Sequence, residues 1–172
     1  MATLLENKHQ AFKVRLFIWF ALLCSAGALY WGWDLFHTYG LSPGDGGVLR
    51  PYGERLALGL LMASLGLALA GCIMVYACHY VVHMARNGGQ VVIDTHTPLG
   101  LGTQRHEFDA AQIGKSNYHD GSMIARVSVN APWLTLHASG RRFPFILDAQ
   151  SETLRRSDIE SLSRGTPRRR KK

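Results

Sequence analysis

His79 and His83 stand four residues apart, with Tyr76 and Tyr80 beside them. On a helix that spacing puts both rings on one face. Such a pair holds a metal ion or supplies axial haem ligands. Histidines among tyrosines also mark the place where a helix leaves a bilayer, and the sequence favours that simpler role. His96, His106, His119 and His137 accompany Asp94, Asp109 and Asp120 farther along. No two of them have the spacing of a metal motif, so turn and surface positions are expected. A nucleophile elbow, HExxH and a Walker lysine are all missing from the sequence, and those are the patterns that carry catalysis most visibly. The expectation is a non-catalytic protein with no cofactor and no metal.

Two basic groups remain. Arg141 and Arg142 precede Phe143, a combination that pairs with phosphate or stacks on a base. A solvated hairpin tip is the first reading and partner binding the second. Arg168, Arg169, Arg170, Lys171 and Lys172 form a run of five cations. Such a run suits anionic lipid such as cardiolipin, an acidic protein surface or ribosomal RNA, with nucleic acid the least favoured. Cys24, Cys72 and Cys78 all lie in apolar stretches, where cysteine acts as a small hydrophobe.

The elements that must position these residues begin with Leu56–Ala85, thirty residues without Asp, Glu, Lys or Arg. As helix this run is about 45 Å long, against about 30 Å for a bilayer's hydrocarbon core. Gly59, Ala63, Gly66 and Ala70 follow a 4-3-4 spacing along it. An earlier apolar run, Leu16–Trp33, has Ala21, Ser25, Ala28 and Gly32 at the same spacing. Small residues on one face let helix backbones approach closely in lipid. The two runs are therefore expected to pair as an antiparallel transmembrane hairpin, with spans at about 16–34 and 56–83 and a packing seam of these eight residues. A signal peptide fits the first run less well. It ends in Tyr30, Trp31, Trp33 and Asp34 rather than a small-x-small cleavage site.

Ser42–Gly47 between the runs is a turn-rich connector. The net charge is +7, and its basic excess flanks both spans while the link is acidic. The positive-inside rule then places both termini on one side, the cytoplasm or the mitochondrial matrix.

The division expected is a segment 1–15, a hairpin 16–85, a β-domain 86–150, and a C-terminal helix with basic tail, 151–172. Asn87-Gly88-Gly89 reads as a helix stop. Gln90–Thr95, Met123–Val129, Trp133–His137 and Arg142–Leu147 read as strands, with another around His106–Phe108. Pro144 demotes its strand to an edge. Ser157 and Glu160 fit a capping box. The fold class is membrane α+β: a two-helix hairpin followed by a small antiparallel sheet.

Three stretches carry a resemblance: Gly88-Gly89-Gln90, then Thr95-His96-Thr97-Pro98-Leu99-Gly100-Leu101-Gly102, then Gly140-Arg141-Arg142-Phe143-Pro144-Phe145-Ile146-Leu147-Asp148. In order and spacing, behind a two-span hairpin, they resemble the transmembrane protein 223 family, related to the transmembrane protein 70 and 186 group. The resemblance implies a multi-pass mitochondrial inner-membrane protein with both termini in the matrix. It also implies association with transmembrane and matrix-side subunits of a respiratory complex, above all in assembly of cytochrome c oxidase. The chain departs from that family in showing no obvious Arg/Ser-rich presequence and in its extended basic tail. Two alternatives use other residues: a ribosome-tethering membrane protein working through the tail, and a redox protein with metal or haem on His79 and His83.

Overall fold

The structure is a computed structural model describing residues 2–119 and 132–151. The expected strand Met123–Val129, the helix at Ser157–Glu160 and the cations 168–172 lie outside the described residues. The chain divides into two units: Leu16–Val75 forms one, and Met1–Arg15 with Tyr76–Lys172 forms the other.

The first unit is the helix pair. Helix α1 runs Lys8–Thr38 and α2 runs Tyr52–His79, so both begin earlier than their apolar runs. Asn7 immediately precedes α1, and its carbonyl accepts the first helical bond from the Ala11 amide at 2.9 Å. Pro51 plays the same part for α2, accepting from Glu54 and Arg55. Glu54 in that first turn complements the positive end of the helix. Between them, Pro43–Asp45 forms a short 3-10 turn, and the Arg50 amide bonds the Tyr39 carbonyl at 3.1 Å. Gly40 sits at φ +97°, where a side chain would run into the Val48 carbonyl. The connector reading of Ser42–Gly47 agrees with this.

The second unit is a β structure of two antiparallel sheets. One has the order β1 (Ala2–Glu6), β2 (Val81–Asn87), β3 (Gln90–His96) and β4 (Thr103–Asp109). The other has β5 (Ile113–His119), β6 (Trp133–Ala138) and β7 (Phe145–Asp148) in sequence order. A single core joins their inner faces. Leu5, Val81, Met84, Val91 and Ile93 come from the first sheet, and Ile113, Leu134, Leu136, Phe145 and Leu147 from the second. Alternation decides which residues enter: Leu134, Leu136 and Ala138 are buried on β6 while His137 faces out. Tyr80 adds a parallel bridge to Ile146.

Three expectations change. The second span was expected to stay helical to about residue 83, but α2 ends at His79 and β2 starts at Val81. The β-branched pair Val81-Val82 and a ladder with β3 outweigh helix continuation there. Asn87-Gly88-Gly89 is a hairpin turn rather than a helix stop: Asn87 pairs with Gln90, and Gly88 takes φ +60°. Within segment 1–15, Ala2–Glu6 forms an edge strand on β2. Two sheets stand where one was expected. Pro144 lies just ahead of β7, the outer strand of the second sheet.

Candidate functional site

Within the helix pair the small residues meet. A Cβ built on Gly32 would lie 2.8 Å from the Gly59 carbonyl oxygen and 3.1 Å from the Ala63 nitrogen. One on Gly66 would lie 2.9 Å from the Ser25 carbonyl and 3.2 Å from the Ala28 methyl. Backbone therefore rests on backbone, an approach only glycine permits. Ala21 and Ser25 are buried with them, and the Ser25 hydroxyl is satisfied by donating to the Ala21 carbonyl at 2.8 Å. The same 3-4 spacing continues to Ile18 and Ile73, both buried, although neither is a small residue. Beside the Gly32–Gly59 contact lies an apolar cavity of about 240 Å³, lined by Leu29, Trp33, Phe36, Leu56 and Leu60. At the link end, Arg55 donates to the Phe36 carbonyl at 3.3 Å and lies 5.8 Å from that ring. It serves a carbonyl in the last turn of α1, where a cation is favoured.

The exposed surface of this pair is inverted relative to a water-soluble one. Phe20, Leu23, Tyr30, Trp33 and Leu67 are all more than 60% exposed. Only 17% of the most apolar window of each helix is buried. Both helices are long and apolar enough to cross a membrane.

In the β unit the histidine pair expected on one helix face is split. His79 is the last residue of α2, and His83 lies on β2. The i, i+4 geometry that a shared metal or haem required is therefore lost. His83 belongs instead to a row crossing all four strands: Glu6 on β1, His83 on β2, Asp94 on β3 and Arg105 on β4 are register partners. His83 Nδ1 lies 3.3 Å from Asp94 Oδ2, and Arg105 Nε donates to Asp94 Oδ1 at 3.0 Å. Lys8 pairs with Glu6 at 2.8 Å and holds that carboxyl below the usual range, through the hydrogen bond first and its charge second. Acidic and basic side chains in directly opposed positions stabilise a sheet and fix register.

The glycine-rich stretches singled out in the sequence include three turns. Gly88 and Gly89 close the β2–β3 hairpin, and Thr97–Gly102 closes β3–β4, with Pro98 exposed and Gly100 at φ +67°. The Thr97 amide bonds the Gly102 carbonyl at 3.1 Å, and Gly100 bonds Thr97 at 2.8 Å. His96, just before that turn, is fully buried and stacked on Tyr80, 6.2 Å between centroids. Neither of its ring nitrogens has a hydrogen bond of good geometry. Burial pushes its pKa down, the Arg15 charge adds to this, and the nearby backbone of Ala11 and Gly102 opposes it. Tyr80, which accepts from the Asn7 side-chain Nδ2 at 3.4 Å, is held well above the usual phenol range by burial and by Asp148.

Gly140, at φ +86°, turns the chain between β6 and β7. The residues after it form a cluster that spacing along the chain alone does not reveal. The Arg141 guanidinium carbon lies 4.4 Å over the Phe145 ring, and that of Arg142 lies 5.6 Å from Phe143. His79 meets the Phe143 ring edge-on at 5.7 Å, and His106 lies 5.7 Å from Phe145. Each ring thus carries one arginine and one histidine. The sequence signal is the Arg-Arg-Phe-Pro-Phe run, without the two histidines the fold brings to it. Among the described residues no three His, Cys, Asp or Glu side chains converge as a metal site.

Comparison with known proteins adds no relative: no family model, no curated protein and no solved structure matches the chain.

Proposed function

We propose that this chain is a non-catalytic protein of the mitochondrial inner membrane, spanning it twice with both termini in the matrix. It acts there as an accessory subunit or assembly factor of a respiratory complex, with cytochrome c oxidase first. The observation that carries the membrane part is the inverted helix pair, glycine and alanine inside and large apolar side chains outside. An aqueous protein would bury those side chains, each worth about 1.5–3 kcal/mol when removed from water. The compartment and the complex are supported by the resemblance of Gly88–Gly102 and Gly140–Asp148 to the transmembrane protein 223 family. Partner docking is supported by the exposed apolar faces of both helices, since membrane helices associate through packing rather than through aversion to water.

Alkaline carbonate extraction of mitochondria tests insertion, and release into the supernatant overturns it. A blue-native gel of digitonin-solubilised mitochondria tests the complex. Co-migration with cytochrome c oxidase or its intermediates is expected, and migration only as a small free species refutes stable association.

A further inference from the structure

Around Phe143 and Phe145 the β unit gathers Arg141, Arg142, His79 and His106. Arg141 Nη1 is shielded from solvent yet has no acceptor, and a guanidinium N–H left unpaired is costly. Among the described residues neither arginine forms an ion pair. Asp94, the acid that acts on His106, is already engaged by Arg105 and His83. Two guanidinium groups are therefore held on aromatic rings with no ion-pair partner among the described residues.

We propose that Arg141, Arg142 and His79 form a binding site for a phosphate-bearing anion, with Phe143 and Phe145 as its floor. Two planar guanidinium forks suit the several oxygens of a phosphate group, and a carboxylate would leave donors unused. The site takes the headgroup of an anionic phospholipid. Phe143 is 54% exposed, an apolar surface next to the charges that suits acyl chains. His79 closes the helix read as a membrane span. The lipid source rests on that membrane reading, while the phosphate chemistry stands on the β unit alone.

The test uses the full chain in neutral detergent. Native mass spectrometry counts retained phosphatidylglycerol against phosphatidylcholine, and phosphorus NMR titrates inorganic phosphate. Preferential retention of phosphatidylglycerol is expected, falling about tenfold or more in Arg141→Ala/Arg142→Ala as two charge-assisted contacts are lost. Arg142→Ala alone, at an exposed position, and Arg141→Lys, which keeps the charge but not the fork, give intermediate losses at unchanged thermal midpoint. Arg86→Ala, whose guanidinium bonds the Gly88 carbonyl, retains lipid as the native chain does. Inorganic phosphate binding as tightly as the lipid, and lost in the same variants, keeps the site but overturns its lipid source. Equal retention of phosphatidylcholine, no effect of the double variant, or preferential binding of an oligouridylate overturns the proposal. A chain that stays monodisperse without detergent refutes the membrane reading instead, and the phosphate titration still reads the site.

Discussion

The helix pair buries Ala21, Ser25, Gly32, Gly59 and Gly66 and turns Phe20, Leu23, Trp33 and Leu67 outward. The β unit does the reverse, enclosing Leu5, Ile93, Leu136, Phe145 and Leu147 while Arg105, Glu107 and Asp109 face out. Aversion to water organises the second unit. In the first, contact distance between backbones decides what is inside, which is the order a bilayer would favour under the membrane placement proposed above. The contrast is sharpest in substitutions that remove volume from one unit and add volume to the other.

Phe145→Ala removes a fully buried ring that also carries Arg141. A loss of about 3–5 kcal/mol is expected, read as a fall in denaturant midpoint of the β unit. A loss below about 1 kcal/mol would mean the two sheets do not share this core.

Gly32→Leu adds volume where a Cβ already meets the Gly59 carbonyl at 2.8 Å. Overpacking there costs about 1–3 kcal/mol and separates the helices, measured by spin-label distances across the pair in detergent. Gly71→Leu is its control, since nothing lies within 4 Å of a Cβ at that position, and it should change the distances little. If both variants behave alike, the seam does not set the helix approach.

This difference also explains what could be read from the chain. The 4-3-4 spacing of small residues survives any detail of packing: Gly32 lies against Gly59, and Gly66 against Ser25 and Ala28. The end of α2 has no such mark. No charge, proline or glycine separates Tyr76–His79 from Val81–Asn87, and the strand exists because β1 and β3 flank it on both sides. Local residue types cannot announce a partner as distant as Ala2–Glu6. The Asn-Gly-Gly turn carries two meanings, helix stop and hairpin, and the apolar residues on either side of it, Met84-Ala85 and Val91–Ile93, favour the hairpin. The Arg-Arg-Phe motif was likewise readable, whereas His79 and His106 join it only through the fold.

Asp94→Asn breaks the charge row that the β unit has and the seam lacks. Asp94 accepts from Arg105 at 3.0 Å, but the Arg105 side chain is 63% exposed, so solvent screens much of that pairing. A loss of about 1 kcal/mol is expected, and it should shrink in an Arg105→Gln background because the partner is already gone. Equal losses in both backgrounds would show that the row contributes nothing as a pair.

The smallest effect is one of pH, and it separates the units cleanly. The seam residues carry no ionisable side chain, whereas the β unit buries His96 and half-buries His106. Both have pKa values pushed below the ordinary 6.5, by burial first, then by Arg15 for His96 and Arg141 for His106. As pH falls through about 6.5 the unfolded chain takes up these protons before the folded one does, so stability decreases toward acid. It levels off only below the folded values. Glu6, held low by Lys8, acts in a more acidic window, below its ordinary 4.5. Denaturant midpoints of the β unit should therefore drop between pH 8 and pH 5, and the slope should be shallower in His96→Phe, whatever that variant does to absolute stability. Helix-pair distances should stay constant across the same range. An unchanged slope in His96→Phe would mean that the ring finds a proton acceptor when charged, with the carbonyls of Ala11 and Gly102 the nearest at hand.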